Sequence, residues 1–314
     1  MATGSRTSLA TVRRARGSTH RTPWGAIVLF MAPAAVLYLG LTLYPTFMTF
    51  YNSLNHLRSD RGMSYQFIGF QNYRDLFQDD IFFAAAAHSL IWAAVSLFLE
   101  VPIALVLALI LANKIRGARF FRTAWFTPVL ITYPVVGVIW LWIYNYDWGV
   151  LNVLLRTVGL GSLATAWLGT PQTALPALIL ITTWMFVGFD MVILLAALHA
   201  IPQDILEAAA IDGATKYQAT LNVTIPLLRQ TLVNLLILCF IGKMKQFALV
   251  YVMTRGGPLW ATETVATYVI KRAFEWQTLD LGYPSAIAVV WFIVILGCTV
   301  IFGRLLRGRD SVEY

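Results

Sequence analysis

Long apolar runs separated by short polar segments dominate the chain from residue 25 onward. Six of them stand out, at 25–46, 84–112, 124–144, 175–198, 228–252 and 284–304. Each reaches the length of about 20 mainly apolar residues that crosses the hydrocarbon layer of a bilayer. Backbone N–H and C=O groups find no water there, so a run of this length has to be helical. A barrel would need shorter segments alternating apolar and polar positions, and the sequence lacks them. The expected fold is an all-α, polytopic transmembrane helix bundle of six spans. Residues 1–23 read as a disordered basic tail, 24–306 as one transmembrane domain and 307–314 as a C-terminal tail.

Composition and charge add an orientation. Of 314 residues 59% are hydrophobic and 12% charged, against about 45–50% and 25% in soluble domains. Arg6, Arg13, Arg14, Arg16 and Arg21 precede the first run, and Lys114, Arg116, Arg119 and Arg122 follow the second. Arg304, Arg307 and Arg309 follow the last run, whereas the loop after the first holds Asp60, Asp75, Asp79 and Asp80. Positive charge collects on the cytoplasmic side, so both termini and the loop at 202–226 are expected there. The net charge of +8 is thus spread along a membrane boundary, which excludes a nucleic-acid face. The first run is too long for a signal peptide and has no small-x-small cleavage site after it, so it reads as a retained span. Cys239 and Cys298 lie inside runs and report no redox compartment. His20, His56, His88 and His199 do not fall at metal-ligand spacing, so no metal site is expected.

The loop EAAAIDGATKYQATLNVTIP, Glu207 to Pro226, is a polar island between two apolar runs. Asp204 has the side chain of an N-cap, and Glu207 three residues later completes the pattern of a capping box. Ala208, Ala209 and Ala210 favour helix and leave it thin. Gly213 permits a break, and Pro226 suits the first turn of the fifth span. Spacing alone fits equally a surface helix whose Glu207 serves its own backbone and a helix that lies in a groove on a partner.

In spacing and residue type this loop resembles the EAA loop of binding-protein-dependent ABC importer permeases, with Ile225 in place of Leu and Thr220 in place of the usual Phe. Four further segments extend the likeness: FIGFQNYRDLF from Phe67, NKIRGARFFRT from Asn113, WLWIYNYDWGVLN from Trp140 and YVMTRGGP from Tyr251. Together they resemble the sugar class, the maltose-type permease family. Gln230, Ala248 and Pro284 depart from its pattern. The resemblance implies that Glu207, Ala208, Ala209, Asp212, Gly213 and Ala214 couple the permease to an ATPase. No G-x-x-x-x-G-K-[ST] phosphate loop is present, and Gly242-Lys243 is embedded in an apolar run. The chain is therefore not expected to be an enzyme or to hold a cofactor of its own; partner subunits would bind ATP-Mg.

Four charges fall well inside the runs, away from their ends: Glu100, Asp190, Lys243 and Lys245. A charge at mid-bilayer costs at least about 2.5–3.5 kcal/mol, so each should face the bundle interior or a wet cavity. Lys243 and Lys245 point roughly 200° apart on a helix of about 3.6 residues per turn. Matching the maltose-type pattern outward from the loop implies a substrate path along Met185, Phe186, Phe189, Cys239, Gly242, Lys243, Gln246 and Ala248. Ordinary packing accounts equally well for Phe186 and Phe189, and Lys243 has the alternative of an ion pair with Asp190. Trp140, Trp142, Tyr144 and Trp148 read as an interfacial aromatic belt.

The family implies a second homologous permease subunit, two ATP-binding subunits, an extracytoplasmic solute-binding protein and a lipid bilayer, with no nucleic acid. It also implies a bacterial or archaeal plasma (inner) membrane and alternating access as the mechanism. Oligosaccharide, monosaccharide and glycerol phosphate systems share the type. An ion-coupled secondary transporter, with Asp190 or Glu100 as its carboxylate, would show inverted repeats and unwound helices and leaves the polar loop unexplained. A membrane-embedded enzyme is disfavoured because the intramembrane charges are scattered along the chain. The charge asymmetry predicts the result of labelling intact cells with an impermeant thiol reagent. A cysteine introduced beside Asp79 is marked and one beside Arg119 is not; the reverse pattern overturns the orientation.

Overall fold

A computed structural model describes residues 24–58, 64–113, 115–276 and 280–306. The two tails, with their arginines up to Arg21 and from Arg307, lie outside the described residues, as do Asp60 and Lys114. Contacts divide the chain into a unit ending at Met48 and a second from Thr49. In the first, helix α1 (Trp24–Tyr38) runs through a π-helical turn (Leu39–Leu43) into α2 (Tyr44–Ser53). Large apolar side chains such as Phe30 and Leu41 are exposed along it, as a span requires.

The second unit takes in the end of α2 from Thr49 and then a hairpin, β1 (Asn55–Arg58) antiparallel to β2 (Ser64–Phe67), which the search for alternating segments did not anticipate. Short α3 (Gln71–Leu76) leads into α4 (Asp80–Ala112). Buried small residues recur along α4 at Ala85, Ser89, Ala93, Ser96, Ala104 and Ala108. Their spacing of three or four residues makes one helix face, and small side chains let neighbouring backbones approach closely. Glu100 stands in that same stripe and is buried with it. Against this face pack α8 (Pro171–Ala200) and α12 (Arg229–Met244).

Two expected spans are interrupted. The third is α5 (Ala118–Phe126) with a 3₁₀ turn to Leu130, then α6 (Tyr133–Ile143), and the two limbs meet at 103°. Pro128 sits in the turn and Pro134 in the first turn of α6. Ile131 and Thr132 are extended at the break. Pro134 has no amide to bond the Leu130 carbonyl, so it can open a helix but not continue one, which is why the continuous run 124–144 is not a continuous helix. Past the bend, α8 passes so close to Trp125 that a Cβ on Gly188 would run into the Trp125 carbonyl. After α7 (Val150–Thr157) and α8 comes the polar loop, with α9 (Gln203–Ile211), α10 (Lys216–Ala219) and α11 (Ile225–Leu227). The fifth span stops at Met244 and resumes as α13 (Ala248–Met253), before α14 (Val265–Ile270) and α15 (Gly282–Leu306).

A break inside hydrocarbon is tolerated only if the freed backbone groups find other partners. Here Trp291 Nε1 of α15 donates to the Met244 carbonyl at 2.9 Å, and Thr264 Oγ1 donates to the Gln246 carbonyl at 2.8 Å. Trp291→Phe removes one donor and leaves a buried carbonyl unpaired, a loss of about 1–3 kcal/mol. The expected outcome is a lower unfolding temperature of the purified protein with its helix content retained.

At the opposite end of α4, Asp79 is the N-cap and accepts the Ile81 and Phe82 amides. Its second carboxylate oxygen accepts the hydroxyls of Tyr268 and Tyr283, so one side chain ties α4 to α14 and α15. Partial burial pushes the Asp79 carboxyl up, but the hydrogen bonds from Tyr268, Tyr283, Phe82 and Ile81 outweigh it and hold the group below the usual aspartate range. A depressed native value means the stabilisation is complete above the ordinary carboxylate range and is lost as pH falls through the native value. Asp79→Asn should therefore lower the unfolding temperature at neutral pH. The difference from the wild type should shrink in acid, and a difference independent of pH would contradict this account.

Candidate functional site

The loop forms a helix–turn–helix. Helix α9 starts at Gln203 with Pro202 before it and no side-chain cap. This corrects the sequence reading: Asp204 lies in the first turn, where its charge complements the helix dipole, and does not cap it. The end of α9 is well defined. Gly213 has φ +81°, its amide bonds the Ala210 carbonyl and that of Ala214 the Ala209 carbonyl. These two bonds are the Schellman arrangement, which favours glycine at the left-handed position. Thr215 then caps α10 in a reciprocal pair with Gln218.

Glu207, Ala208, Asp212 and Gly213 are exposed on this motif, and Ala209 and Ala214 are half-buried. Beside them Ile211 is 86% exposed and Tyr217 72%. The motif thus presents a thin alanine face, the three carboxylates of Asp204, Glu207 and Asp212, and two large side chains to its surroundings.

The second group of residues lies between α4, α8 and α12. Lys243 Nζ is 2.7 Å from Glu100 Oε2 and 4.4 Å from the centre of the Phe186 ring. Cys239 Sγ donates to Glu100 Oε1 at 3.6 Å, and the Tyr133 ring packs on Phe186 with centroids 6.1 Å apart. Glu100 is 2% exposed, Lys243 4% and Asp190 5%. Asp190 also meets Glu100 in a side-chain hydrogen bond, and its buried Oδ2 receives no donor from any other described residue.

The ion pair therefore joins Lys243 to Glu100 and not to Asp190, the partner considered from sequence. The signal that could have found it is the small-residue stripe of α4, which turns Glu100 inward. Of the eight positions carried over as a substrate path, Phe186, Cys239 and Lys243 meet in this cluster. Phe189 and Gly242 are exposed, Ala248 is half-buried, and Met185 and Gln246 are buried. The eight do not share one accessible face. Lys245, at the break, is exposed and diverges from Lys243 as the helical period required.

Two further sequence readings change. Trp142 and Trp148 are exposed as a belt demands, but Tyr144 is buried with its hydroxyl on the Ala177 carbonyl, and Trp140 packs edge-on against Trp184. The bend between α5 and α6 turns that part of the run into the core. The second correction concerns a buried pair that went unnoticed: Lys271 bonds Glu263 and the Arg255 carbonyl, with Trp260 beneath its ammonium. Gly256 of the T-x-GGP turn has φ +80°, and a Cβ there would run into the Glu263 carboxylate. Glycine is required at that position on both counts.

Residues 100–309 match the family of the binding-protein-dependent transport system inner membrane component. The chain is 34% identical over 287 residues to the probable ABC transporter permease protein YurN of Bacillus subtilis strain 168, covering 90% of this chain and 97% of that one. It is 32% identical over 286 residues to the trehalose/maltose transport system permease protein MalF of Thermococcus litoralis, covering 90% and 93%. Its fold is similar, with a TM-score of 0.79, to a chain of a bacterial alginate ABC transporter crystallised with an alginate-pentasaccharide-bound periplasmic protein; identity there is 21% and coverage 90% and 94%. A family match over most of the chain, and end-to-end relatives above 30% identity, assign it: the protein belongs to the binding-protein-dependent transport system inner membrane components and is an ABC transporter permease.

Proposed function

We propose that this permease imports a sugar or oligosaccharide, and that the 202–226 loop is its contact with a separate ATP-hydrolysing subunit. The observation that carries the coupling role is the exposure of Glu207 and Ile211 on a rigidly terminated short helix. The thin alanine face of α9 fits a groove, Glu207 offers a charge to a basic residue there, and Gly213 sets the angle between α9 and α10. Support for a sugar comes from the trehalose/maltose relative. Both termini and the loop lie in the cytoplasm in this reading, as the flanking arginines require.

The working assembly is then this chain, a second permease, two ATP-binding subunits and an extracytoplasmic solute-binding protein. Nucleotide-driven closure of the ATPase pair moves α9, the spans open outward to receive solute from the binding protein, and hydrolysis resets them. In this conformation Lys243 is paired with Glu100 and does not stand free for an anionic group. That favours an uncharged solute over the phosphorylated or acidic sugars that a free ammonium would attract.

The coupling assignment is tested by Glu207→Ala and Gly213→Pro in the reconstituted complex. Proline cannot adopt the positive φ of Gly213 and lacks the amide that bonds Ala210. Each variant should insert and assemble while solute-stimulated ATP hydrolysis and uptake fall by about 5- to 150-fold, the range of ordinary coupling energies. Wild-type transport and ATPase in either variant would remove the loop from the coupling role.

A further inference from the structure

The intramembrane cluster holds one ammonium against two carboxyl groups on two different helices. Lys243 of α12 is paired with Glu100 of α4. Asp190 of α8 hydrogen-bonds the Glu100 side chain but has no ion pair of its own, and its buried Oδ2 receives no other donor among the described residues. Two carboxyl groups held together in the interior with one ammonium between them are costly, and the arrangement calls for an explanation. Its surroundings supply one. The Lys243 ammonium already rests on α8, over the ring of Phe186. Asp190 follows Phe186 by four residues, on the same face and about 6 Å further along the axis at ~1.5 Å per residue. A lysine side chain spans that difference by changing rotamers when α12 slides a few ångströms along α8.

We propose that Asp190 is the alternate partner of Lys243, and that the ion pair passes from Glu100 on α4 to Asp190 on α8 as the permease changes state. The arrangement is prepared for the exchange. Glu100 keeps a donor when the ammonium leaves, because Cys239 already bonds its other oxygen. Lys243 lies one residue before the end of α12, next to the break at 245–247, where the helix can shift without carrying α13 with it. Two neutral side chains adjoin the cluster, Tyr133 of α6, which lies on Phe186 and near Glu100, and Gln246 at the break, which hydrogen-bonds Tyr133. Neither supplies a second cation, so Glu100 and Asp190 compete for the same one. Only one carboxylate can be paired in any conformation, which makes the two pairings mutually exclusive. This is the property of a two-state element.

The inference rests on the transport reading above, and the test separates the two. In the complete complex in lipid nanodiscs, spin labels at Leu180→Cys of α8 and Leu238→Cys of α12, both exposed positions, report the displacement of the helices in a Cys298→Ala background. Wild-type distance distributions with and without a non-hydrolysable ATP analogue define the two states. Asp190→Asn leaves Glu100 as the sole carboxylate and should enrich the state described here. Glu100→Gln leaves Asp190 and should enrich the other. Each variant removes one negative charge beside Lys243, so a purely structural or electrostatic role would move both populations the same way. Opposite shifts of about fivefold or more, the low end of ordinary coupling, support the exchange; shifts of the same sign, or none, overturn it. If Glu100→Gln does not assemble, Glu100→Asp withdraws the carboxylate by one methylene and has to give the same sign as expected for Glu100→Gln. Uptake of a labelled disaccharide by the wild-type complex is measured alongside. Its absence would count against the solute assignment, while the distance populations still decide the exchange.

Discussion

A lysine and a glutamate cannot enter hydrocarbon singly, and the centre of this permease is organised around that restriction. Desolvating either ion costs several kcal/mol, recovered only when geometry and further hydrogen bonds are good. Glu100 and Lys243 meet at 2.7 Å because α4 is lined with alanine and serine on the side that faces α8 and α12. Larger residues at Ala104 or Ala108 would hold the helices apart and leave both charges exposed to lipid. The small-residue stripe and the ion pair are therefore one feature. The aromatic ring of Phe186 and the thiol of Cys239 occupy the remaining faces of the two charged groups.

The same accounting applies to the backbone. Helices need no outside partner until they are interrupted, and this chain interrupts two of its spans. Proline forces the interruption between α5 and α6. In the fifth span no proline lies between Met244 and Ala248, and the break depends on tertiary donors, Trp291 from α15 and Thr264 from the segment before α14. That difference explains what could be read in advance. Pro128 and Pro134 are visible in the sequence, although the apolar character of 124–144 masked their effect. The donors for Met244 and Gln246 lie far along the chain and carry no local mark.

Spans were legible because bilayer thickness sets a minimum apolar length, and the termini of α4, α8 and α15 fall within a few residues of the runs. The loop was legible because its polar composition contrasts with everything around it, and because Gly213 can be recognised as a break. Its start was not: Asp204 has the right chemistry for a cap, yet Pro202 holds the cap position and the helix begins two residues earlier than a cap at Asp204 allows. Charge pairing was the least legible feature. Glu100 and Lys243 are separated by seven helices in the chain, and the choice of Glu100 over Asp190 depends on which faces α4 and α8 turn toward α12. Tyr144 misled for a related reason, since an aromatic at the end of an apolar run looks interfacial until a bend turns it inward.

The loop and the charged cluster are joined by more than sequence order. From Lys216 the chain stays helical through α10, a π-helical turn at Thr220–Thr224, α11 and α12 to Met244, with Leu228 the one intervening residue and itself in right-handed helical geometry. Amide bonds from Leu228 to Thr224 and from Leu232 to Leu228 carry the ladder across that join. A displacement at the turn after Gly213 is therefore delivered along a stiff element rather than absorbed in a flexible connection. Stiffness alone does not make a signal; two sites are coupled when an element between them has discrete states that both can bias. Here the far end of the element carries a lysine placed between two carboxylates, while its near end belongs to the exposed helix pair. The fold thus places a buried ion pair at one end of the same rod whose other end is the exposed helix pair. If the loop is the proposed contact with an ATPase, a push there has to be answered by the proposed change of ion-pair partner or resisted by the existing pair.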